Sequence, residues 1–180
     1  ILLVNGIFFG GGGSYYVAIL FLGALGMYLL MRSLGMSRLI ALFCGWVMAW
    51  NPYLISLATA SHGGKMLAFA FIPWIWMLTY KILSERKWLW AGLLGLILGN
   101  DLLFAPHPQV FFYTLLSMGL ICVTWFVLER RPKKMLRVTP LLASAVIAGL
   151  LIGFGWYYPL HKYASYSIRG QSPAIERTTQ

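Results

Sequence analysis

Six long apolar stretches, separated by short polar loops, occupy most of the chain. A helix needs roughly 20 apolar residues to cross a hydrocarbon core of about 30 Å, and each stretch is close to that length. Backbone N–H and C=O groups find no water inside a bilayer, so segments of this kind cross it as helices. The sequence therefore predicts an all-α, polytopic transmembrane helix bundle with six complete spans. They lie at about 15–31, 39–57, 66–83, 88–104, 110–128 and 136–160.

Composition excludes a soluble domain. Hydrophobic residues make up 60% of the chain and charged residues only 10%, whereas soluble domains carry about 25% charged residues. Cys44 and Cys122 lie inside apolar stretches, without a second Cys or His at metal-ligand spacing. We interpret both as small packing residues. Soluble enzymes, disordered tails and disulfide-stapled secreted modules are thereby excluded.

The formal charge of +10 indicates membrane topology rather than nucleic-acid binding. A nucleic-acid surface needs one continuous basic face, but ten of the fourteen Lys and Arg residues fall in three alternate loops, 32–38, 81–87 and 129–137. Because cytoplasmic loops are enriched in Lys and Arg, these loops are predicted to lie inside, with Ser84 capping the helix that follows it. The loops 61–65 and 100–109 and the segment after Leu160 are then extracytoplasmic.

Ionisable side chains gather on the predicted extracytoplasmic side, which holds all three histidines, Lys65 and Asp101. Such groups are costly at a membrane, so their concentration on one side suggests a site. In the loop 61–65, two glycines free the backbone, and Lys65 adds positive charge at a helix N-terminus. That combination suits a phosphate. A plain turn with a snorkelling lysine is the alternative.

A second polar segment contains His107 and Gln109, which the flanking prolines place at a helix N-terminus with Tyr113 one turn further on. An imidazole, an amide and a phenol can hydrogen-bond sugar hydroxyls or a phosphate. A helix cap with aromatic anchors uses the same residues and needs no ligand. The sequence leaves both interpretations open.

Asp101 is a candidate general base, a metal ligand or an ion-pair partner of Lys65 or Arg169. The tail around Tyr166 and Arg169 either contacts an anionic head group or serves as an interfacial anchor. Two small-xxx-small pairs, Gly95 with Gly99 and Gly149 with Gly153, allow close helix packing, either within this chain or between two copies.

Four groups of motifs occur along the chain: Leu34–Arg38, Ser61–Lys65 followed by Phe71–Trp74, His107–Tyr113 and Tyr166–Gly170. Taken in order, they resemble the YfhO-like family of bacterial multispanning membrane proteins, in the GT-C superfamily of glycosyltransferases. Their order and spacing cover nearly the whole chain. Residues 1–180 are expected to be one transmembrane helical domain, truncated at both ends, and the resemblance implies that it is part of a larger GT-C-like membrane domain.

The resemblance implies a membrane glycosyltransferase of the bacterial cytoplasmic membrane. It would transfer a sugar from a polyprenyl-phosphate donor to an extracytoplasmic acceptor of the cell envelope. Asp101 is the catalytic candidate in this sequence, although the essential acidic residue of such enzymes is expected upstream of Ile1. A divalent metal is left open, with His62 as its candidate ligand. The substrate-binding candidates are His62, Lys65, His107, Gln109, Tyr113, Tyr166 and Arg169.

Two non-enzymatic functions stay open: a flippase or transporter for lipid-linked intermediates, and a scaffold subunit for a partner enzyme. Transporters usually show internal repeats and interrupted helices near the midplane of the bilayer, and Pro73 is the only candidate interruption in the sequence. Nucleotide-binding loops, zinc-protease motifs and serine-nucleophile motifs are absent from the sequence. ATP-driven transport and intramembrane zinc proteolysis therefore have no support.

Overall fold

A computed structural model describes residues 12–104, 107–129 and 132–164, which fold into seven helices. Five segments are long and apolar enough to cross a membrane, α2 and α3 together forming one of them, and α5 is a shorter apolar helix of 17 residues. The predicted all-α, polytopic transmembrane bundle is confirmed. The helices are α1 (Gly12–Ser33), α2 (Arg38–Ala49), α3 (Pro52–Thr59), α4 (Gly63–Glu85), α5 (Trp88–Phe104), α6 (Pro108–Glu129) and α7 (Pro132–Ala164).

The stretch 39–57, which the sequence predicts as one helix, is divided between α2 and α3. Pro52 has no backbone N–H to donate and fits the first turn of a new helix. The Asn51 side chain accepts the N–H of Tyr53 at 2.9 Å and so caps α3. The Asn-Pro pair thus interrupts a single crossing of 22 residues.

Pro73, the candidate interruption, does not break its helix, because α4 continues through it. Ser84 also lies inside α4, where its hydroxyl donates to the carbonyl of Tyr80 at 2.9 Å. It therefore does not cap α5, as the sequence had suggested. The helix ends at Glu85, and Arg86 follows as its C-cap with a φ of 54°, in the left-handed region that commonly ends helices.

The central helix of the bundle is α4, which packs against α1, α3, α5, α6 and α7. Its inner face contributes Ile75, Leu78 and Ile82 to the main apolar cluster, where they meet residues of α5 and α7 such as Leu94 and Val138. The cluster is all apolar, so packing rather than hydrogen bonding holds the middle of the bundle together.

Small residues bring α5 and α7 into close contact, the most extensive pairing between helices in the described part of the chain. A Cβ atom on Gly99 would lie 2.6 Å from the Cβ of Ile152, and one on Gly149 would lie 2.7 Å from the Cβ of Leu98. Neither position has room for a larger residue. Both glycine pairs are therefore used for packing within this chain.

Alternating helix directions give the bundle two chemically different ends. The basic end comprises the connections α1–α2, α4–α5 and α6–α7, and the histidine end comprises the connections α3–α4 and α5–α6. The basic end contains the described ion pairs of Glu85 with Lys81 and Lys87 and of Glu129 with Lys134. The candidate residues that the structure describes lie at the histidine end.

Candidate functional site

The first turn of α4 carries His62 and Lys65. Ser61 has a φ of 56°, which lets the chain reverse after α3, and the His62 N–H donates to the carbonyl of Leu57 at 2.9 Å. His62 occupies the N-cap position, but its side chain makes no capping hydrogen bond. The N–H groups of the first turn, which have no acceptor within the helix, are therefore not capped by this side chain.

Gly63 allows an aromatic ring to lie directly on this turn. A Cβ atom at Gly63 would be 2.6 Å from Cε1 of Tyr15, so only glycine permits the observed contact. Tyr15 belongs to the first turns of α1 and stacks edge-on against Tyr16, with ring centroids 5.4 Å apart. The start of α1 thus forms an aromatic wall beside the start of α4.

Lys65 interacts with a ring rather than with a carboxylate. Its Nζ lies 5.5 Å from the ring centroid of Tyr53, and that ring packs edge-on against Phe69 at 5.3 Å. Among the described ion pairs none involves Lys65. A ring does not pair with a cation as a carboxylate does, so Lys65 remains available to an anion.

His107 immediately precedes α6, and its carbonyl accepts the N–H of Phe111 at 3.1 Å. Its Nδ1 atom is buried and has no hydrogen-bond partner in the described ranges. Burial, followed by the nearby positive charges of Lys65 and His62, lowers the pKa of His107 below its ordinary value of 6.5. The imidazole is therefore neutral at pH 7, with one nitrogen able to accept and the other able to donate.

The starts of α4 and α6 lie together. Ala68 of α4 and Val110 of α6 are both buried in one small apolar cluster, and the charges of His62 and Lys65 act on His107. We call these last three residues the histidine–lysine cluster. Two helix N-termini, each carrying partial positive charge, meet at this cluster.

Asp101 is buried in the last turn of α5. It is 1% exposed and lies on the same helical face as Leu94, Leu98 and Leu102. Neither of its carboxylate oxygens has a hydrogen-bond partner among the residues that the structure describes. The expected ion pair with Lys65 is thus not formed, and Arg169 lies outside the described residues.

The other described candidates, Gln109 and Tyr113, lie on α6. Val110, Thr114 and Met118 mark the buried face of α6, and both Gln109 and Tyr113 are exposed, Tyr113 by 56%. The Tyr113 ring contacts Phe112 edge-on at 5.7 Å. Tyr166 and Arg169 fall outside the described residues.

The residues that the structure describes do not form a metal site. Over 12–104, 107–129 and 132–164, no three His, Cys, Asp or Glu side chains come together in a ligand set. Protein metal sites usually supply three or four such ligands. The described residues therefore do not fit the metal ion that the sequence left open, and the role of His62 as a metal ligand stays a prediction.

An apolar cavity of about 360 Å³ opens between α5, α6 and α7 at the histidine end. Its walls include Leu102, which follows Asp101 in the chain, and Pro108, which follows His107. The further lining residues are Phe111, Leu150, Gly153 and Phe154. A polar cluster and an apolar cavity thus lie side by side at the boundary of the bundle.

The sequence did not indicate the contact between Lys65 and Tyr53. Tyr53 is not among the candidates from the sequence, because nothing local predicts that α3 folds back to bring its ring under Lys65. The burial of Asp101 could have been found, since it lies three residues after Leu98 and seven after Leu94 on one helical face.

No protein-family model, curated protein or solved structure matches the chain. The resemblance to the YfhO-like family therefore remains a hypothesis that rests on its motifs.

Proposed function

We propose that the protein is a GT-C-type membrane glycosyltransferase that binds a polyprenyl-phosphate-linked sugar at the histidine end. The observation that supports this most directly is the histidine–lysine cluster, in which Lys65 has no described carboxylate partner and lies at a helix N-terminus that the His62 side chain does not cap. Helix N-termini and lysine side chains are common partners of phosphate groups. The donor phosphate is assigned to this cluster.

The second part of the donor, its prenyl chain, is assigned to the apolar cavity lined by Leu102, Phe111 and Phe154. A lipid-linked phosphate needs a cationic group and an apolar surface within one molecule's reach, and the histidine end offers both. Gln109 and Tyr113 are exposed residues of α6, a helix that also lines this cavity, and they are proposed to hydrogen-bond sugar hydroxyls. Tyr166 and Arg169 stay predicted contacts of the donor.

In the proposed reaction an acceptor hydroxyl oxygen bonds to the anomeric carbon of the sugar. The bond from that carbon to the phosphate oxygen breaks, and polyprenyl phosphate leaves with the bonding electrons. Lys65 and His62 stabilise the charge that develops on the phosphate. Asp101, the only carboxylate at this end of the described chain, is proposed to accept the hydroxyl proton.

Transfer of a labelled sugar from a polyprenyl-phosphate donor, measured with the purified protein, tests this function. His62→Ala and His107→Ala should each reduce the rate about tenfold or more, as expected for loss of a charge-assisted contact. Lys133→Gln, a change in a basic residue at the opposite end, is the control and should leave the rate unchanged. Full activity in both histidine variants would remove the proposed cluster.

The proposed location is the bacterial cytoplasmic membrane, with the histidine end on the extracytoplasmic side and the basic end in the cytoplasm. The distribution of Lys and Arg between the loops supports this orientation. With Cys44 and Cys122 replaced, an impermeant thiol reagent should label Ser61→Cys in intact cells and leave Ser84→Cys unlabelled. Labelling of Ser84→Cys alone would invert the orientation and contradict the enzyme assignment.

The interruption between α2 and α3 favours a second candidate, a flippase for lipid-linked intermediates. Transporters commonly bind substrate at broken helices, and Asn51 and Pro52 break a segment of crossing length. Scrambling of a labelled lipid-linked sugar by purified protein in liposomes, with no sugar transfer, would support this candidate. Transfer without scrambling would support the enzyme.

A further inference from the structure

A cavity of about 600 Å³ lies at the basic end, where the connection between α4 and α5 meets the first turns of α7. Its charged lining residues are Glu85, Arg86 and Arg137. It is separate from the histidine–lysine cluster, and nothing in the proposed sugar transfer uses it. We call it the arginine cavity.

The only negative charge on the wall of the arginine cavity is already neutralised. Glu85 accepts from Lys81 Nζ at 2.7 Å and from Trp90 Nε1 at 2.9 Å, and its second oxygen also lies 3.0 Å from Lys87 Nζ. Neither arginine takes part in an ion pair within the described residues. The cavity therefore has an excess of positive charge.

Arg86 is held in place by an unusual backbone conformation. Its φ of 54° is rare for a residue with a side chain, and its Nη2 lies 3.5 Å from the carbonyl of Ser84. Its Nε atom is buried and has no hydrogen-bond partner in the described part of the chain. A buried guanidinium N–H without an acceptor is costly, so a missing acceptor is expected here.

We propose that the arginine cavity binds the phosphate of an anionic lipid head group, with Arg86 and Arg137 as its two cationic partners. Guanidinium groups match phosphate oxygens in geometry as well as in charge. Basic pockets between membrane helices are known to hold anionic head groups.

Apolar side chains at the mouth of the arginine cavity favour a lipid over free phosphate. Trp88 is 65% exposed and Leu136 is 75% exposed, and both line the cavity. Trp residues at the ends of membrane-spanning helices characteristically lie at the level of lipid head groups. A ligand with a phosphate and acyl chains would contact both the arginines and these apolar side chains, whereas inorganic phosphate would contact the arginines alone.

Binding of short-chain phosphatidylglycerol to the purified protein in a neutral detergent tests the proposal. Phosphatidylcholine with the same chains and inorganic phosphate are the comparison ligands. Phosphatidylglycerol should bind most tightly. Arg86→Gln with Arg137→Gln should weaken its binding about a hundredfold, because each charge-assisted contact contributes about tenfold.

The matched control is Arg38→Gln with Lys133→Gln, which removes two positive charges from the basic end outside the cavity. It should weaken phosphatidylglycerol binding only a few-fold, through the lost long-range attraction. If the double arginine variant does not fold, Arg137→Gln alone, at an exposed position, should still weaken binding about tenfold.

Three results would overturn the proposal. Equal weakening in the control would mean that only surface charge attracts the lipid. Equal binding of phosphatidylcholine would show that the arginines do not recognise the head group. Binding of inorganic phosphate as tight as that of phosphatidylglycerol would make free phosphate the ligand.

Discussion

The two ends of the bundle use ionisable residues in opposite ways. At the basic end Glu85 is bonded by Lys81, Lys87 and Trp90. At the histidine end the Asp101 oxygens and the His107 Nδ1 atom are buried without a hydrogen-bond partner among the described residues. The same kinds of groups are therefore satisfied within the protein at one end and left unsatisfied at the other.

The paired carboxylates of the basic end suit a structural role, whereas the polar atoms without partners at the histidine end suit ligand binding. Carboxylates that are paired with cations leave little charge for a ligand, and such surface pairs contribute only modestly to stability. Buried polar atoms without partners lower stability, and proteins retain them mainly where a ligand or a reaction needs them. Among the described residues of the basic end Arg86 is the exception, since its buried Nε atom also lacks a hydrogen-bond partner.

The largest expected effect comes from Asp101→Asn, compared with Glu85→Gln at the opposite end. Asp101→Asn should lower the rate of sugar transfer about a hundredfold or more, as for loss of a general base. It should also raise the free energy of unfolding by about 1–3 kcal/mol, because it removes a buried charge without a partner. Thermal unfolding and transfer assays measure the two effects.

Glu85→Gln should do the reverse, lowering the melting temperature and leaving transfer unchanged, since its three partners lose a charged acceptor. A lower melting temperature for Asp101→Asn would mean that its carboxylate has a partner beyond the described residues. Unchanged transfer would remove its proposed role as a base.

The fold was largely predictable, because the thickness of the bilayer sets the length of each apolar segment and the loop charges mark alternate ends. The division at Asn51 and Pro52 was also predictable, because a capping residue followed by a proline indicates the start of a new helix. A count of apolar residues does not detect it, since the apolar stretch continues on both sides. The cation–π contact of Lys65 and the cavity between Arg86 and Arg137 were not predictable. Both depend on distances between helices, for which a single sequence carries no signal.

The second prediction compares two glycines of α5. Gly92 lies in the half nearer the basic end, and Gly99 lies in the half nearer the histidine end. Gly99→Ala should lower the free energy of unfolding by about 1–3 kcal/mol, because its Cβ atom has no room and must push α7 away. The new Cβ atom would lie 2.6 Å from that of Ile152. Gly92 has no atom within 4 Å of such a Cβ atom, so Gly92→Ala should be neutral or stabilise by up to about 1 kcal/mol. Equal effects of the two variants on thermal unfolding would contradict the observed α5–α7 contact.

The third prediction concerns Lys65 and the donor phosphate. Lys65→Gln should weaken binding of a polyprenyl phosphate about tenfold, the effect of one charge-assisted contact. Lys134→Gln is the matched control, because Lys134 is already paired with Glu129 at 2.6 Å. Titration with polyprenyl phosphate measures both variants. If Lys65→Gln and Lys134→Gln weaken binding of polyprenyl phosphate equally, the assignment of the phosphate to the histidine end is contradicted.

The smallest effect is a pH dependence from His107. Its pKa in the folded protein is lowered by burial and by the charges of Lys65 and His62, so the unfolded chain binds more protons below the ordinary value of 6.5. Stability should therefore fall as the pH drops through 6.5 toward the lowered pKa, and His107 should add no further loss below both values. His107→Gln should flatten this part of the profile of melting temperature against pH. Bound polyprenyl phosphate should flatten it too, because an anion beside the imidazole favours its protonated form. If His107→Gln leaves the profile unchanged, the His107 pKa is not lowered in the folded protein, and this difference between the two ends is contradicted.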